Sequence, residues 1–477
     1  MRTKRYFLLF IFITVSYNLI SQTKSSPIQT FMNNPNLKHA SVGFYVKDFT
    51  GKQIASYNAS RSFTPASVMK IITTASAIEI LGADFKYETT LAKDKNDPNH
   101  ILIHGCGDPT LGTEHMNNDP TAFLDEWVKQ IKQNVDTTQE IRITIIDDYF
   151  GYDGISHRWI RQDMGSYYAT GTYGISVFDN MYRLYLNTMK RDTCPEIIKT
   201  VPEMDIDFDN TLTIGRDDAY IFGSPFVNER LLIGSVHAGK QSLMLRGDIP
   251  NPGLYLGKRL SEELSKNGIT VANVKTTYDK YYKHLYSADK YTFDEEIFYT
   301  HYSLPLKDII TDTNVRSNNH YAEHLIRTIG RAKNKDIYSN PLDEGIAQVN
   351  LLWKGRGLNT DALFMYDGSG LAPSNAVSAA FVCDLLAYMQ NKSKNAKDFL
   401  DTFAKAGKTG TVRSLLKGTR LQGKVYVKSG TIVNVRCYAG YYIEGGKKYT
   451  FAILVNNYNG PRNNVVKAIE KLLLETF

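Results

Sequence analysis

The chain is organised around the stretch Thr64-Pro65-Ala66-Ser67-Val68-Met69-Lys70, which is followed by a largely apolar run. Thr64 can cap a helix, Pro65 suits its first turn, and Gly82 suits its end. We therefore predict a helix with Ser67 in its first turn, where unpaired backbone N–H groups favour a developing anion. Lys70 follows three residues later on the same helix face, so its amine can reach the Ser67 hydroxyl.

The S-x-x-K spacing of Ser67 and Lys70 indicates a nucleophile with its own base. A serine hydroxyl is a poor nucleophile until a neighbouring base takes its proton, and a desolvated lysine amine can be that base. The four-residue pattern is weak on its own, because a capped surface helix explains it more simply. The other elements of such a site must therefore come from elsewhere in the chain.

The N-terminus is predicted to be a secretory signal peptide over residues 1–22. Arg2, Lys4 and Arg5 form a charged start, and the apolar stretch from Tyr6 to Val15 is too short to span a membrane. No later run is long and apolar enough for a transmembrane helix. We therefore expect an exported protein, in the periplasm or the cell-wall space.

Composition argues against several classes of protein. The 477 residues suffice for two to four domains. The formal net charge of +7 includes three positive residues of the leader, and the chain has no clustered basic stripe, so we expect no nucleic-acid partner. The cysteines are spaced too irregularly for a zinc site or a disulfide scaffold, and we expect buried free thiols at Cys106, Cys194, Cys383 and Cys437.

Hydrophobic periodicity predicts the secondary structure. The first half is predicted to contain the hairpin Ser41–Lys47 and Gln53–Asn58, the strands Tyr87–Lys93, Ile101–Gly105 and Ile141–Ile146, and the helix Ala122–Val135. Residues 165–257 are predicted to be β-rich, followed by the helix Leu254–Lys266 and the strand Thr270–Thr277. The C-terminal part is predicted to be a three-stranded meander and a helix: Lys424–Ile432, Val435–Glu444, Lys448–Asn456 and Asn464–Glu475.

A second motif, Ser317-Asn318-Asn319, fits the pattern S-x-N. In such a site a second hydroxyl relays protons between the lysine and the leaving group, and the asparagine amide holds the substrate backbone. A third motif, Lys428-Ser429-Gly430-Thr431, fits K-[ST]-G. The three motifs together are much more specific than any one of them.

The K-[ST]-G pattern also occurs at Lys408-Thr409-Gly410. The chemistry needs this lysine on an edge strand that can pair with an extended substrate and supply an N–H group to the oxyanion. Lys428 lies within an alternating, strand-like segment, whereas Lys408 follows the helix-like run Asp398–Ala406. We therefore predict that Lys428 is the functional residue and that Lys408 lies in a solvated loop.

The order and spacing of these motifs resemble the D-alanyl-D-alanine carboxypeptidase/endopeptidase family, the class C penicillin-binding proteins with a large insertion after the nucleophile helix. About 250 residues separate Ser67 from Ser317, and such an insertion explains the gap. Two departures are Ser429 in place of the usual Thr, and Pro373 near where relatives often carry an Arg. The remaining matching elements are Gly107-Asp108-Pro109-Thr110-Leu111, Asp147–Phe150, the Tyr-Ala-Glu sequence after Asn319, Asp367-Gly368-Ser369-Gly370-Leu371 and Ala439-Gly440-Tyr441.

The resemblance implies an α/β (α+β) fold, in which a β-lactamase/transpeptidase-like domain has an antiparallel sheet covered by helices. Residues 23–92 and 300–477 would form this domain, with the C-terminal helix packed on the sheet. Residues 93–165 would begin an inserted domain and residues 258–299 would complete it. Residues 166–257 would form a second, β-rich inserted domain nested in the first.

The implied function is that of a serine peptidase acting on peptidoglycan stem peptides that end in, or are cross-linked through, D-Ala. β-Lactam antibiotics would be covalent inhibitors, and no metal or organic cofactor is required. The implied catalytic residues are Ser67, Lys70, Ser317, Asn319 and Lys428, with Ser429, Gly430 and Thr431 binding the substrate or its oxyanion. Asp147 would bind the free amine of the diamino acid in the stem peptide, although a turn-forming aspartate explains it equally well.

Other functions fit parts of the sequence. His320-Tyr321-Ala322-Glu323-His324 matches the zinc-peptidase pattern H-x-x-E-H, but no clear third ligand accompanies it. A Ser-His-Asp hydrolase would need a G-x-S-x-G elbow, which Ser67 lacks. A β-lactamase-like hydrolase and a catalytically inert protein that binds β-lactams or the cell wall stay open as alternatives.

Overall fold

The computed structural model describes residues 26–116, 118–190, 194–278, 293–336 and 338–477. The predicted signal peptide lies outside the described residues. The α-helices are α1 (Pro27–Met32), α2 (Met69–Leu81), α3 (Ala122–Asn134), α4 (Pro252–Lys266), α5 (Leu306–Arg316), α6 (Asn319–Lys333), α7 (Pro341–Gly355), α8 (Ala379–Asn391), α9 (Ala396–Asp401) and α10 (Arg462–Thr476).

The strands number β1 to β21 in chain order through the described residues. They are β1 (Ser41–Asp48), β2 (Gln53–Tyr57), β3 (Ser62–Phe63), β4 (Glu88–Asp94), β5 (Asp97–His104), β6 (Ile141–Ile146), β7 (Met181–Asn187), β8 (Glu196–Val201), β9 (Asp207–Asn210), β10 (Thr213–Ile214), β11 (Tyr220–Phe222), β12 (Glu229–Ile233), β13 (Ser235–Val236), β14 (Leu243–Asp248), β15 (Val271–Thr276), β16 (Glu295–Tyr302), β17 (Leu363–Phe364), β18 (Ala376–Ser378), β19 (Val425–Ile432), β20 (Val435–Glu444) and β21 (Lys447–Asn456).

The predicted helices and strands match these bounds to within a few residues, with one exception. The helix predicted over Asp398–Ala406 ends at Asp401. The segment after it runs beside β19 instead, where the Ala406 N–H donates to the Val425 carbonyl at 2.9 Å. Pairing with β19 gives these backbone N–H and C=O groups hydrogen-bond partners, as a further helical turn would have done. The local sequence is compatible with either conformation.

The domain that carries the three motifs is built on an antiparallel sheet in the order β19-β20-β21-β1-β2. Helices α2, α5, α6 and α8 pack on one face, where Ile72, Ile310 and Leu386 share a core with Leu454 of β21. Helix α10 packs on the other face through its apolar stripe, which includes Ile469. The predicted antiparallel sheet covered by helices, with the C-terminal helix on it, is confirmed.

The chain between α2 and α5 forms a second, mixed sheet in the order β15-β6-β5-β4-β16. Helices α3 and α4 pack on this sheet, where Trp127 and Leu260 contribute to one core. Strands β7 to β14 form smaller sheets with a separate core around Tyr182 and Leu232. The division into two inserted domains stays a prediction.

The insertion begins and ends at neighbouring points. Strands β4 and β16 pair along their length, from Glu88 opposite Tyr302 to Asp94 opposite Glu295. The predicted boundaries at residues 92 and 299 both fall within these two paired strands. The two connections also touch just outside the sheet, since the Leu306 N–H donates to the carbonyl of residue 85 at 2.8 Å.

All four cysteines are free. Cys383 and Cys437 are buried as expected, and Cys106 is partly buried. The expectation is wrong for Cys194, which is exposed in the loop before β8. Among the residues that the structure describes, no helix has the length and apolar character needed to cross a membrane.

Candidate active site

Ser67 lies in a single 3-10 turn, Ala66–Val68, directly before α2. The predicted cap is wrong, because the Thr64 hydroxyl donates to the Pro373 carbonyl at 3.2 Å and no side chain caps the turn. Ala66 has a φ of 46°, a left-handed conformation that is uncommon for a residue with a Cβ. This sharp bend holds the Ser67 hydroxyl at the start of α2.

The amine of Lys70 is buried and has three partners. Its Nζ lies 3.0 Å from Ser67 Oγ, 2.6 Å from Asn319 Oδ1 and 2.7 Å from the Ser369 carbonyl oxygen. The amide and carbonyl oxygens can only accept, so a neutral amine gives its two hydrogens to them and turns its lone pair to the Ser67 hydroxyl. Burial lowers the pKa of Lys70 to about 7, although Asp367 and Glu323 act to raise it. The geometry is that of a general base facing its nucleophile.

Asn319 connects this base to the insertion. It begins α6, and its Nδ2 donates to the Tyr168 carbonyl at 2.8 Å while its Oδ1 accepts from Lys70. The oxygen of the Asn319 amide is therefore held by the domain that carries the three motifs, and its nitrogen is held by the insertion. An amide held in this way is suited to orient a substrate backbone beside Ser67.

Ser317 and Lys428 form the second hydroxyl–amine pair. Ser317 ends α5 in a left-handed conformation with φ of 63°, and Lys428 Nζ donates to its Oγ at 2.8 Å and to the Ser429 carbonyl at 2.8 Å. Burial, together with the charges of Lys70 and Arg436, lowers the pKa of Lys428 well below its usual value. Two buried lysines, Lys70 and Lys428, thus each contact a half-buried serine, Ser67 and Ser317 respectively.

Strand β19 is the edge of its sheet and passes directly beside the Ser67 turn. A Cβ at Gly430 would lie 2.4 Å from the Pro65 carbonyl oxygen, so only glycine allows this approach. Ser429 Oγ lies 2.9 Å from Thr411 Oγ1, and Thr431 is exposed beside Arg436. The predicted edge-strand setting of the third motif is confirmed.

The competing lysine lies outside this cluster. Lys408 is exposed in the loop before the 3-10 turn Gly410–Val412, as predicted. A Cβ at Gly410 would lie 2.3 Å from the Val315 carbonyl oxygen, so this loop packs against the end of α5. The loop supports the site through Thr411 and leaves the Lys408 amine in solvent.

Two buried acids that the sequence did not identify as site residues hold the loop that receives Lys70. Glu323 Oε1 accepts the N–H groups of Gly368 and Ser369 at 3.0 and 2.8 Å, and its other oxygen pairs with Arg327 at 2.9 Å. Asp367 accepts N–H groups from Gly370, Ala372 and the Trp159 indole. For Asp367 the sequence signal was the Asp-Gly-Ser-Gly motif. An aspartate in a glycine-rich turn often accepts hydrogen bonds from the N–H groups of that turn.

Asp147 does not join the site. It ends β6 with 1% exposure, its Oδ1 accepts hydrogen bonds from the hydroxyls of Tyr152 and Thr277, and burial raises its pKa to about 7. Both hydrogen bonds go to Oδ1 of a side chain that is almost fully buried. The binding of a substrate amine by Asp147 therefore stays a prediction, beside the alternative of a structural aspartate. Asp163 is linked to the site through Tyr168, whose hydroxyl donates to it at 3.1 Å and whose carbonyl accepts from Asn319.

The two histidines of the zinc-peptidase pattern have other partners. His320 Nδ1 lies 3.0 Å from the Thr170 hydroxyl, and His324 Nε2 lies 2.8 Å from the Ser176 hydroxyl. Burial lowers the pKa of His320 to about 3. Within the described ranges, no group of three or more His, Cys, Asp or Glu side chains is placed to hold a metal ion. These histidines attach α6 to the insertion.

The chain is similar in sequence to known proteins over most of its length. The chain is 25% identical to the D-alanyl-D-alanine carboxypeptidase of Actinomadura sp. (strain R39), over 91% of this chain and 81% of the relative. It is 23% identical to the D-alanyl-D-alanine carboxypeptidase DacB of Haemophilus influenzae, over 88% of this chain and 86% of the relative.

The fold is also similar to solved structures. The crystal structure of penicillin binding protein 4 (dacB) from Haemophilus influenzae superposes with a TM-score of 0.76 at 20% identity, covering 91% of this chain and 96% of that one. A second crystal structure of the same protein, complexed with a β-lactam, gives a TM-score of 0.73 at 20% identity over 94% and 98% of the two chains. The sequence profile of one peptidase family matches residues 25–475. The chain belongs to the D-Ala-D-Ala carboxypeptidase 3 (S13) family.

Proposed function

We propose that Ser67 is the acylated nucleophile of this serine-type D-Ala-D-Ala carboxypeptidase and endopeptidase. Membership of the S13 family gives the reaction, which is hydrolysis at D-Ala of peptidoglycan stem peptides. The observation that carries the assignment is the buried Lys70 amine, whose lone pair can only be directed to Ser67 when its other two partners are satisfied. An exported location accords with this substrate and with the predicted signal peptide.

The proposed reaction uses the cluster in two steps. Ser67 Oγ attacks the D-Ala carbonyl carbon while neutral Lys70 takes its proton, and the N–H groups of Ser67 and Thr431 stabilise the oxyanion. Ser317 gives its proton to the leaving amine as the C–N bond breaks and takes up the proton held on Lys70, so that Lys70 is neutral again and the Ser317 hydroxyl is restored. Water then hydrolyses the ester, and Ser67 is released with its hydroxyl restored. Lys428 keeps Ser317 oriented throughout.

The remaining residues of the three motifs position the substrate. Asn319 orients its backbone, and Lys428 with Ser429 meets the carboxylate of the leaving D-Ala. Gly430 lets β19 come close enough to pair with the extended peptide. The same arrangement accepts a β-lactam, whose amide carbonyl takes the place of the D-Ala carbonyl.

Benzylpenicillin tests this assignment directly. Intact-mass analysis of the purified protein is expected to show one drug adduct on the wild type and none on Ser67→Ala. An adduct that persists on the folded variant would move the nucleophile elsewhere. Mass spectrometry of peptidoglycan fragments then separates the two activities, because loss of one D-Ala and conversion of cross-linked dimers to monomers give different products.

A further inference from the structure

A cavity of about 440 Å³ lies beside the S-x-N turn. Ser317, Asn318 and Asn319 form one wall, and Tyr167 and Arg246 of the insertion form another. The cavity is therefore continuous with the residue that is proposed to protonate the leaving group. The proposed reaction gives no role to the residues of the insertion that line this space.

Arg246 gives this cavity a positive charge. Its exposed guanidinium lies over the Tyr167 ring, 3.7 Å from the ring centroid, and it forms no salt bridge with any described residue. The stacked ring fixes the guanidinium plane while leaving its N–H edges able to donate.

The other charged residues of the wall already have partners. Arg316 pairs with Asp312 at 2.7 Å, and both oxygens of Asp179 lie 3.0 Å from the Thr113 hydroxyl. Arg246 is therefore the charged side chain of this wall that is best placed to bind a new anion. A planar guanidinium with accessible edges is suited to a carboxylate, which it can hold by two parallel hydrogen bonds.

The position of Ser317 indicates which part of a substrate would enter this cavity. The leaving amine must come within hydrogen-bond reach of Ser317 Oγ, so the substituent on its carbon lies next to this cavity. When free D-Ala leaves, that carbon bears only a methyl group and the carboxylate that Lys428 and Ser429 are proposed to meet, and about 440 Å³ is far too large for the methyl group. When a cross-link is cut, the substituent carries a whole second stem peptide.

We propose that this cavity receives the leaving strand of a cross-linked peptide and that Arg246 binds a free carboxylate on that strand. The proposal rests on the proposed function and adds a specificity-determining residue to it. Arg246 would then favour cleavage of cross-links over release of D-Ala, because only a cross-linked substrate presents a further carboxylate beyond the one that Lys428 and Ser429 are proposed to meet.

The test compares Arg246→Gln with the wild type on three substrates. These are a monomeric pentapeptide, a cross-linked dimer, and the same dimer with the leaving-strand carboxylates amidated. Loss of a hydrogen-bonded charge pair is expected to lower kcat/KM on the carboxylate dimer by about 10- to 100-fold. D-Ala release and benzylpenicillin acylation are expected to stay within about twofold of the wild type, and the amidated dimer is expected to be cleaved equally by both proteins.

Arg216→Gln is the matched control, because Arg216 is an exposed arginine of the same insertion outside this cavity. Equal losses of Arg246→Gln on monomer and dimer, no loss on the dimer, or the same loss in Arg216→Gln would each overturn the proposal. Failure of the proposed function is a different result, since the wild type would then form no penicillin adduct.

Discussion

The Glu323 carboxylate accepts the Ser369 backbone N–H at 2.8 Å and thereby fixes the carbonyl group that receives the Lys70 amine. Glu323 lies one helical turn after Asn319 on α6, and Asn319 contacts the same amine directly. Helix α6 therefore orients the proposed general base, Lys70, from two directions. In the sequence this arrangement appears as the spacing S-x-N-x-x-x-E. Ser317 and Asn319 belong to the S-x-N motif, and Glu323 fixes the carbonyl group that receives Lys70.

Replacement of Glu323 is expected to affect stability and the pH profile together. Glu323→Gln leaves the buried Arg327 without its charge partner, which costs about 3–5 kcal/mol of stability. Because Glu323 raises the pKa of Lys70, its loss lowers that pKa, and the acid limb of penicillin acylation moves to lower pH. Thermal unfolding and acylation rates against pH measure both effects.

The double variant Glu323→Gln with Arg327→Met separates these effects, because it removes the unpaired charge. It is expected to regain much of the lost stability and to retain the shifted acid limb. Glu262→Gln, on the exposed side of α4, serves as the control for loss of a surface carboxylate. An unshifted acid limb in the folded double variant would contradict the role of Glu323.

The titration of Lys70 predicts the pH dependence of the wild type. With its pKa lowered to about 7, the amine is mostly protonated at pH 5 to 6 and mostly a free base above pH 8. Acylation by benzylpenicillin is expected to rise about tenfold per pH unit below 7 and to level off above it. Stopped-flow or labelling rates measure this profile, and a rate that is flat through pH 7 would exclude Lys70 as the base. Lys70→Arg, which stays protonated, is expected to be inactive at every pH.

The two K-[ST]-G motifs give a direct comparison. Lys428→Ala removes the donor to Ser317 and is expected to slow penicillin acylation by orders of magnitude, whereas Lys408→Ala is expected to stay within a few-fold of the wild type. Covalent labelling with fluorescent penicillin ranks the two variants. The opposite ranking would mean that the loop before β19, and not the strand, carries the functional lysine.

Asp147 is expected to act on stability alone. Asp147→Ala deprives the hydroxyls of Tyr152 and Thr277 of their buried acceptor, so its melting temperature is expected to fall. Cleavage of peptides with a free diamino-acid amine and acylation by penicillin are expected to change by the same factor. A loss confined to the amine-bearing peptides would restore the interpretation of Asp147 as a substrate-binding residue.

Local pattern was enough to predict most elements and the cluster of Ser67, Lys70, Ser317 and Lys428. The failures concern groups whose partners are distant in sequence. The hydrogen bond from Thr277 to Asp147, which spans 130 positions, was not predicted. Thr64 has the chemistry of a cap, but it donates to Pro373 instead. Neither contact can be predicted from a few neighbouring residues, because each depends on how distant segments of the chain pack together.

The pairing of β4 with β16 has a consequence for how the protein folds. A folded insertion holds its two ends a hydrogen bond apart, so it acts on the rest of the molecule as a short tether. Loop-closure entropy rises with the length of disordered chain, and docking of α5 and α6 on α2 therefore costs less after the insertion has formed. In the sequence, Ser67 precedes the insertion and Ser317 follows it. We therefore expect the insertion to form first and the catalytic centre last, so that a partly folded chain carries no assembled hydrolase.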